Sequence, residues 1–589
     1  METACAANFM TKFVRLSQLC DVPSECARIR LAESFTVAVT LRYWKSQRIG
    51  KHFRLVVPFA VSPLDEAASN LAIAFADQLR SCTPEEAGYR IGEAYSRALP
   101  PSLRSSRGVF FTPPVLTKRL IASVSNQGLD WKTGRILDTS CGGAAFLTPI
   151  ALEMRRHLPG QSARAILTSI GNRLRGYEID RFTGWLSQTL VEISLSDLCI
   201  EAGCRLPSIV SVLDTLAVPA QEIFDLVLGN PPYGRCSLSK EMRERYSRSL
   251  YGHANMYGLF TQAALNWTAK NGLIAYVTPT SMMGGKYFQS LRELLLAESP
   301  PVAIDFIKQR EGVFASVQQE TMLAVYRKGA ARRSVVIHLL DLVNEFTLNA
   351  IDGGVYSVPG AGGDPWLLPR TIEQCSMVGK IAAMSTRLRD YGYRVSTGPM
   401  VFHRYPEQLR RKPGKGAYPI ICAEAVRVSG RFEWDPESLH YKPFFIPRKK
   451  DLHLIRNQGC ILVQRTTSKE QKRRLISAEL PAAFLERNRG AIVENHLNMI
   501  LPSADKPAIS LATLSAILHA DIVDAAFRCI NGSVAVSASE LEAIPLPSVN
   551  QAREIEVLVN NRATKEQINE AVSEMYLLEA DGRRIALVA

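Results

Sequence analysis

Cysteine pairing is the first thing this sequence lacks. Its 12 cysteines stand singly, with no Cys-x-x-Cys pair and no cysteine–histidine cluster at zinc spacing. Free thiols are therefore expected, and neither a disulfide framework nor a structural metal. Long apolar runs are missing too: none approaches the ~18 residues a bilayer crossing needs, so no membrane partner is expected. The opening Met1-Glu2-Thr3-Ala4-Cys5 has no basic start and no clear apolar stretch behind it. No secretory signal is expected from that pattern, and a cytoplasmic location is the expectation. Acidic residues run short, with 56 Asp and Glu against 70 Lys and Arg, leaving a net charge of +14. Such a surplus permits a polyanionic partner without requiring one.

What is present is a folded composition, 47% apolar and 21% charged, on a chain of 589 residues, long enough for two or three domains. Residues 1–100 read as a mainly helical N-terminal segment with one strand-like stretch, Phe35 to Leu41. Thr83-Pro84-Glu85-Glu86 starts a helix with a capping hydroxyl, proline at the first position and carboxylates in the first turn. It runs towards Tyr95 and Leu99 and stops at Pro100-Pro101; the segment carries no chemistry and is expected to act as a lid or brace. Next, Phe110-Phe111-Thr112-Pro113-Pro114 by itself is an ordinary helix cap.

The stretch that organises the chain is Phe224-Asp225-Leu226-Val227-Leu228-Gly229-Asn230-Pro231-Pro232-Tyr233. An apolar run ending in Gly-Asn-Pro-Pro predicts a buried parallel strand that stops at its carboxyl edge, because proline offers no amide to the ladder and restricts the residue before it. In an open α/β sheet that edge is where ligands bind. Asn230 and the neighbouring carbonyl offer acceptors to an exocyclic amine, and Tyr233 offers a ring face. Three earlier strands end the same way. Arg135-Ile136-Leu137-Asp138 runs into the small-residue turn Thr139-Ser140-Cys141-Gly142-Gly143-Ala144 and then a helix. That turn differs from the dinucleotide fingerprint Gly-x-Gly-x-x-Gly, and no pyrophosphate cradle is evident. Leu174 to Asp180 reads as a second strand ending in an acid, where a carboxylate is placed to accept both hydroxyls of a ribose, and Ile209 to Asp214 ends in an acid able to accept from an adenine amine. Later strands are expected at Gly272–Pro279, Val302–Phe306 and Thr321–Tyr326, with Phe314 in the loop between the last two.

Residues 332–385 look irregular, with Gly353-Gly354 and Gly360-Ala361-Gly362-Gly363 marking a border. Beyond about 390 come short strands and three basic clusters: His403, Arg404 and Arg410 to Lys415; Arg448-Lys449-Lys450; and Lys469 with Lys472-Arg473-Arg474. Tyr405, Phe432, Trp434, Tyr441, Phe444 and Phe445 are interleaved, a pattern that fits nucleic-acid contact. One amphipathic helix is predicted from Gln551 to Leu578.

Taken in order, Phe-Phe-Thr-Pro-Pro, Asp-Thr-Ser-Cys-Gly-Gly, Gly-Tyr-Glu-Ile-Asp, Asp214 and Asn-Pro-Pro-Tyr resemble the motif series of gamma-class N6-adenine DNA methyltransferases, the TaqI-type modification enzymes of restriction–modification systems. The catalytic resemblance covers roughly residues 85–330; Val463 to Thr467 and Asn531 to Pro547 are more loosely similar to that family's target-recognition regions. The resemblance implies a Rossmann-like doubly wound α/β methyltransferase sheet over 101–335, a linker over 336–389, a separate α+β target-recognition domain over 390–550 and a helical end over 551–589. It also implies S-adenosylmethionine as cofactor: Thr112 on its methionine part with Asp138, Ser140 and Gly142 around it, Glu178 on the ribose, Asp214 on the adenine. Asn230 and the Pro231 carbonyl would hold the target amine, Pro232 would stiffen the turn, and Tyr233 and Phe314 would pack on the flipped base. Thr139-Ser140 and Ala144 depart from the commoner Pro-Ala-Cys-Gly-x-Gly motif.

The partner expected is double-stranded DNA, bound by a monomer, with a companion restriction endonuclease or none, since residues 1–100 hold no Pro-Asp…Glu-x-Lys segment. No Pro-Cys dipeptide supplies a cytosine-C5 nucleophile. Two other functions stay open: methylation of an RNA amine or a protein glutamine amide by the same turn, and a catalytically silent DNA-specificity subunit.

Overall fold

Short apolar runs, covered on both faces, become the strands of one large sheet. The computed structural model describes residues 25–100, 102–104, 111–309, 320–331, 334–358, 363–437, 441–467, 471–530 and 535–577. The chain divides into two compact units, Met1–Pro279 with Glu293–Val355, and Thr280–Arg292 with Tyr356–Ala589. The first is built on nine strands: β1 (Ile136–Asp138), β2 (Leu174–Glu178), β3 (Val210–Val212), β4 (Phe224–Gly229), β5 (Thr268–Pro279), β6 (Pro301–Ile307), β7 (Thr321–Arg327), β8 (Ser334–Leu342) and β9 (Leu348–Ser357). Their order is β9-β8-β6-β7-β5-β4-β1-β2-β3. β1 pairs in parallel with both β2 and β4, β4 in parallel with β5, and β7 runs antiparallel between β5 and β6. Ile136, Leu137 and Leu226 to Leu228 are wholly buried, as strands covered by helices on two faces must be. The order turns back on itself between β1 and β4, the switch point where such sheets leave a crevice.

The N-terminal helices are α1 (Glu25–Ser46), α2 (Glu66–Gln78) and α3 (Pro84–Ala98). The strand expected at Phe35–Leu41 is instead the middle of α1. Its β-branched residues stay helical because Ala32, Phe35, Val39 and Tyr43 form a buried face, while Thr36 and Thr40 donate their hydroxyls back to Ala32 O and Thr36 O at 2.8 and 2.7 Å. The expected capping box of α3 is present, with Thr83 and Glu86 bonded reciprocally. These helices share one apolar core with the sheet, Phe35 and Ile91 lying in the same buried cluster as Leu186 and Leu228. Helix α4 (Pro114–Asn126) follows the Thr-Pro-Pro segment and is tied to the sheet by Arg119, whose Nε lies 2.6 Å from the buried Asp305 carboxylate of β6; His338 of β8 meets the same carboxylate at 3.0 Å.

The stretch 332–385, expected as irregular linker, holds β8, β9 and a helix at Ile372–Ala383. Gly353 is no border: it lies inside β9, where a Cβ would come within 3.1 Å of Ile337 on β8.

The second unit carries a four-stranded sheet, ordered Tyr393–Thr397, Leu497–Pro502, Cys460–Gln464, Ser477–Leu480, and a five-stranded one containing Phe444–Phe445 and Tyr418–Ile421. The interleaved aromatic residues of this half turn inward rather than outward. Trp434 packs edge-on against Phe444 and Phe484, Phe432 against Phe484, Tyr405 against Phe445 and Phe402 against Tyr441. Stacking rings against each other removes apolar area from water that a DNA-facing display would leave exposed. The third basic cluster is likewise structural in part: Arg474 is buried and bonded to the Thr467 carbonyl, and Arg473 pairs with Asp521. Lys469 lies outside the described residues. His403, Arg404, Arg410, Arg411, Lys412, Lys415 and Arg448 to Lys450 are exposed. The single C-terminal helix is two, Val549–Asn560 and Lys565–Leu577, because Arg562 takes a left-handed φ of 57° that ends the first.

Candidate active site

The carboxyl ends of β1 to β4 open onto a cavity of about 690 Å³, inside the roughly 300–1,000 Å³ range of small-molecule sites. Thr112, Ser140, Gly142, Glu178, Asp214, Asn230, Pro232 and Tyr233 all line it. Asp138 and Pro231 are buried just behind. Phe314 lies outside the described residues.

Asp138 closes β1 in register with Gly176 of β2 and Leu228 of β4, which fixes its carboxyl inside the sheet. Its Oδ1 accepts from the Ser140 amide at 3.0 Å; its Oδ2 and the Ser140 hydroxyl are buried without a hydrogen-bond partner. Burial pushes this carboxyl up to about 7, the Ser140 amide partly opposing and the Glu178 charge adding. Gly229 at the end of β4 has φ 148°, and a Cβ there would sit 2.8 Å from Asp138 Oδ1, so the residue before Asn230 has to be glycine. In the turn after β1, Ala144 holds φ 64°, the left-handed conformation that glycine adopts without strain.

Glu178 ends β2 with Oε2 accepting from Gly142 N at 2.9 Å and Oε1 from Asp180 N at 3.0 Å. Each oxygen keeps one lone pair, enough for the two hydroxyls of a ribose. Burial raises its carboxyl above the usual range. The second acid of this motif does something else: Asp180 caps helix α5 (Arg181–Ser194), accepting from Phe182 N and Thr183 N. Asp214 accepts from Leu216 N at 2.9 Å, and the turn behind it is held by Tyr246 and Arg245, both donating to the Leu216 carbonyl.

Asn230 bridges the two halves of the site. Its Nδ2 donates to the Thr112 hydroxyl at 3.1 Å, and its Oδ1 accepts from the Tyr233 phenol at 2.5 Å. That phenol also lies 3.1 Å from the Val277 carbonyl, and burial holds it well above the usual phenol range. The acceptor expected for a substrate amine thus already takes one donor from within the turn and keeps a second lone pair.

Sequence reasoning gave no role to Phe111, which lines the cavity, or to Thr139, whose hydroxyl meets Tyr276 at 3.0 Å and whose carbonyl accepts from Thr215. Nor did it find Arg245 and Tyr246. Phe111 stands directly beside Thr112 in the Phe-Phe-Thr-Pro-Pro motif and Thr139 inside the Asp-Thr-Ser-Cys-Gly-Gly turn, while Arg245 and Tyr246 carry no spacing signal at all.

Residues 205–314 match the family described as Eco57I restriction-modification methylase. The type II methyltransferase M.BsuBI of Bacillus subtilis is 27% identical over 467 residues, 76% of this chain and 88% of that protein. M.PstI of Providencia stuartii, another type II methyltransferase, is 25% identical over 338 residues, 55% of this chain and 65% of its own length. Among solved structures, the type IIL restriction-modification enzyme MmeI in complex with DNA is similar at a TM-score of 0.54 and 12% identity, over 97% of this chain and 96% of that one, a likeness of fold. The class these findings support is the restriction–modification DNA methyltransferase. Within that class, the curated relatives are type II enzymes.

Proposed function

We propose that the chain transfers a methyl group from S-adenosylmethionine to the N6 amine of an adenine turned out of duplex DNA, as the modification enzyme of a restriction–modification system. The observation that carries this reading is the Asn230–Thr112 hydrogen bond. It puts the amine-accepting turn one bond away from the threonine assigned to the cofactor's methionine end, on the wall of one cavity. The donor set fits such a cofactor: partnerless Asp138 Oδ2 and Ser140 Oγ suit its polar methionine end, and Glu178 has two lone pairs left for ribose hydroxyls.

Bound there, S-adenosylmethionine supplies an electrophilic methyl on a sulfonium. Asn230 Oδ1 and the Pro231 carbonyl accept the two N–H bonds of the amine, which favours a pyramidal nitrogen and frees its lone pair from the ring. The nitrogen would accept that methyl group in exchange for the carbon–sulfur bond, and its extra proton would leave to water. The protein contributes positioning and fixed dipoles, with no covalent intermediate. Tyr233 is assigned to offer its ring to the base, and Phe314 to pack against that base as a second aromatic. The exposed cations of the second unit, at 403–415 and 448–450, are assigned to phosphates, which makes that unit the target-recognition half.

Sequencing genomic DNA from cells expressing the chain, with modified-base detection, tests the reading. N6-methyladenine at one repeated motif, absent with Asn230→Ala, is the expected result. No N6-methyladenine at any motif overturns it.

A further inference from the structure

Phe111 is held in a slot between two glycines that come from different parts of the first unit. A Cβ on Gly92 of α3 would lie 2.3 Å from the Phe111 ring atoms Cδ1 and Cε1. A Cβ on Gly143, in the turn after β1, would lie 2.0 Å from Cε1 of the same edge. Both backbones therefore touch one ring edge, at a separation no side chain could share. Glycine inside a helix is disfavoured against alanine, so Gly92 has a local cost that the ring contact explains. Gly88, one turn earlier, lacks that justification: a Cβ there would make an ordinary contact of 3.6 Å with Leu190.

The ring is also a partition. Phe111 lines the cavity of about 690 Å³ on one side. On the side of α3 it lines a void of only about 20 Å³, room for a single water. That void leaves little room for a ring pushed by a new methyl on α3, whereas the large cavity next to Thr112 is open on the ring's other side.

We propose that Gly92 is a positioning residue for the cofactor: through Phe111, helix α3 sets the wall against which S-adenosylmethionine is bound, so the N-terminal helical layer fixes cofactor affinity without touching the cofactor. This inference rests on the reading of the cavity as an S-adenosylmethionine site. Calorimetric titration of the full chain with S-adenosylmethionine separates the two. If the wild type shows no binding, the site reading falls and takes this one with it.

If the wild type binds, Gly92→Ala weakens the affinity by about tenfold or more and raises KM for the cofactor more than it lowers kcat. Gly88→Ala on the same helix leaves affinity unchanged. In the Phe111→Ala background, Gly92→Ala produces no further loss, because it acts only through the ring. Wild-type affinity in Gly92→Ala, or losses that add in the double variant, overturns the proposal. Should Gly92→Ala fail to fold, Phe111→Leu empties the slot from the other side: a similar loss of affinity at an unchanged melting temperature supports the coupling, and unchanged affinity overturns it.

Discussion

The two units treat their polar and aromatic side chains in opposite ways. In the first, polar groups point inward at the strand ends and are already bonded: Asp138 to the Ser140 amide, Glu178 to two amides, Asn230 to Thr112 and Tyr233. In the second, the rings of Trp434, Phe444 and Phe445 pack inward and the cations of Arg410 to Lys415 stay in water. The difference teaches that the first unit's contribution is geometric and set during folding, whereas the second offers charge on a scaffold that its aromatic residues hold up. The two should therefore fail in different ways.

The largest effect belongs to Asn230→Ala. It is expected to slow methyl transfer about a thousandfold in single-turnover assays while cofactor and DNA affinities stay within about threefold. Equal losses in binding and rate would erase the distinction between a geometric and a charged half. Next, Phe445→Ala is expected to cost the second unit about 3–5 kcal/mol, seen as an early denaturation transition. Joint replacement of Arg410, Arg411 and Lys412 by alanine should leave that transition in place and flatten the salt dependence of DNA binding, by roughly 0.9 in log–log slope for each phosphate no longer neutralised. If the ring removal changed the salt slope and the charge removal changed stability, the assignments of this unit would have to be exchanged.

The smallest effect is a pH dependence of the buried acid. Folded Asp138 holds its proton up to about 7, against an ordinary value of 3.8. Its contribution to stability is therefore whole below the ordinary value and lost as pH rises through about 7. Binding of a cationic ligand runs the other way, since it favours the ionised carboxyl. Affinity for S-adenosylmethionine should rise about tenfold from pH 6 to 7.5 with release of a proton, measured as a buffer-dependent enthalpy. Asp138→Asn should flatten this slope, and a retained slope would assign the proton elsewhere.

The strand ends were legible because each is a local signal: a few buried apolar residues, then one polar residue at the carboxyl edge. The α3 cap was legible for the same reason, needing only Thr83 to Glu86. What stayed hidden depends on distant partners. Nothing near Phe35–Leu41 reveals that its β-branched residues have a core to face along a helix. Gly353-Gly354 looks like a break until Ile337 of the neighbouring strand is seen against it. The rings beyond 400 resembled a display for bases because their mates, such as Phe484 for Trp434, stand far away in the chain. Within the site, Glu178 and Asp180 are two acids of one motif, and only the helix that begins after Asp180 makes that one a cap.

The phenol of Tyr233 resting on Asn230 turns this strand edge into a small counter of hydrogens. On the proposed reading, a base carrying an exocyclic amine brings two N–H groups, one for the remaining lone pair of Asn230 Oδ1 and one for the Pro231 carbonyl. A base with a carbonyl in that place would bring none and leave two acceptors facing an acceptor, at about 1–3 kcal/mol for each group left unpaired. The proposed site would thus disfavour thymine before any chemistry begins.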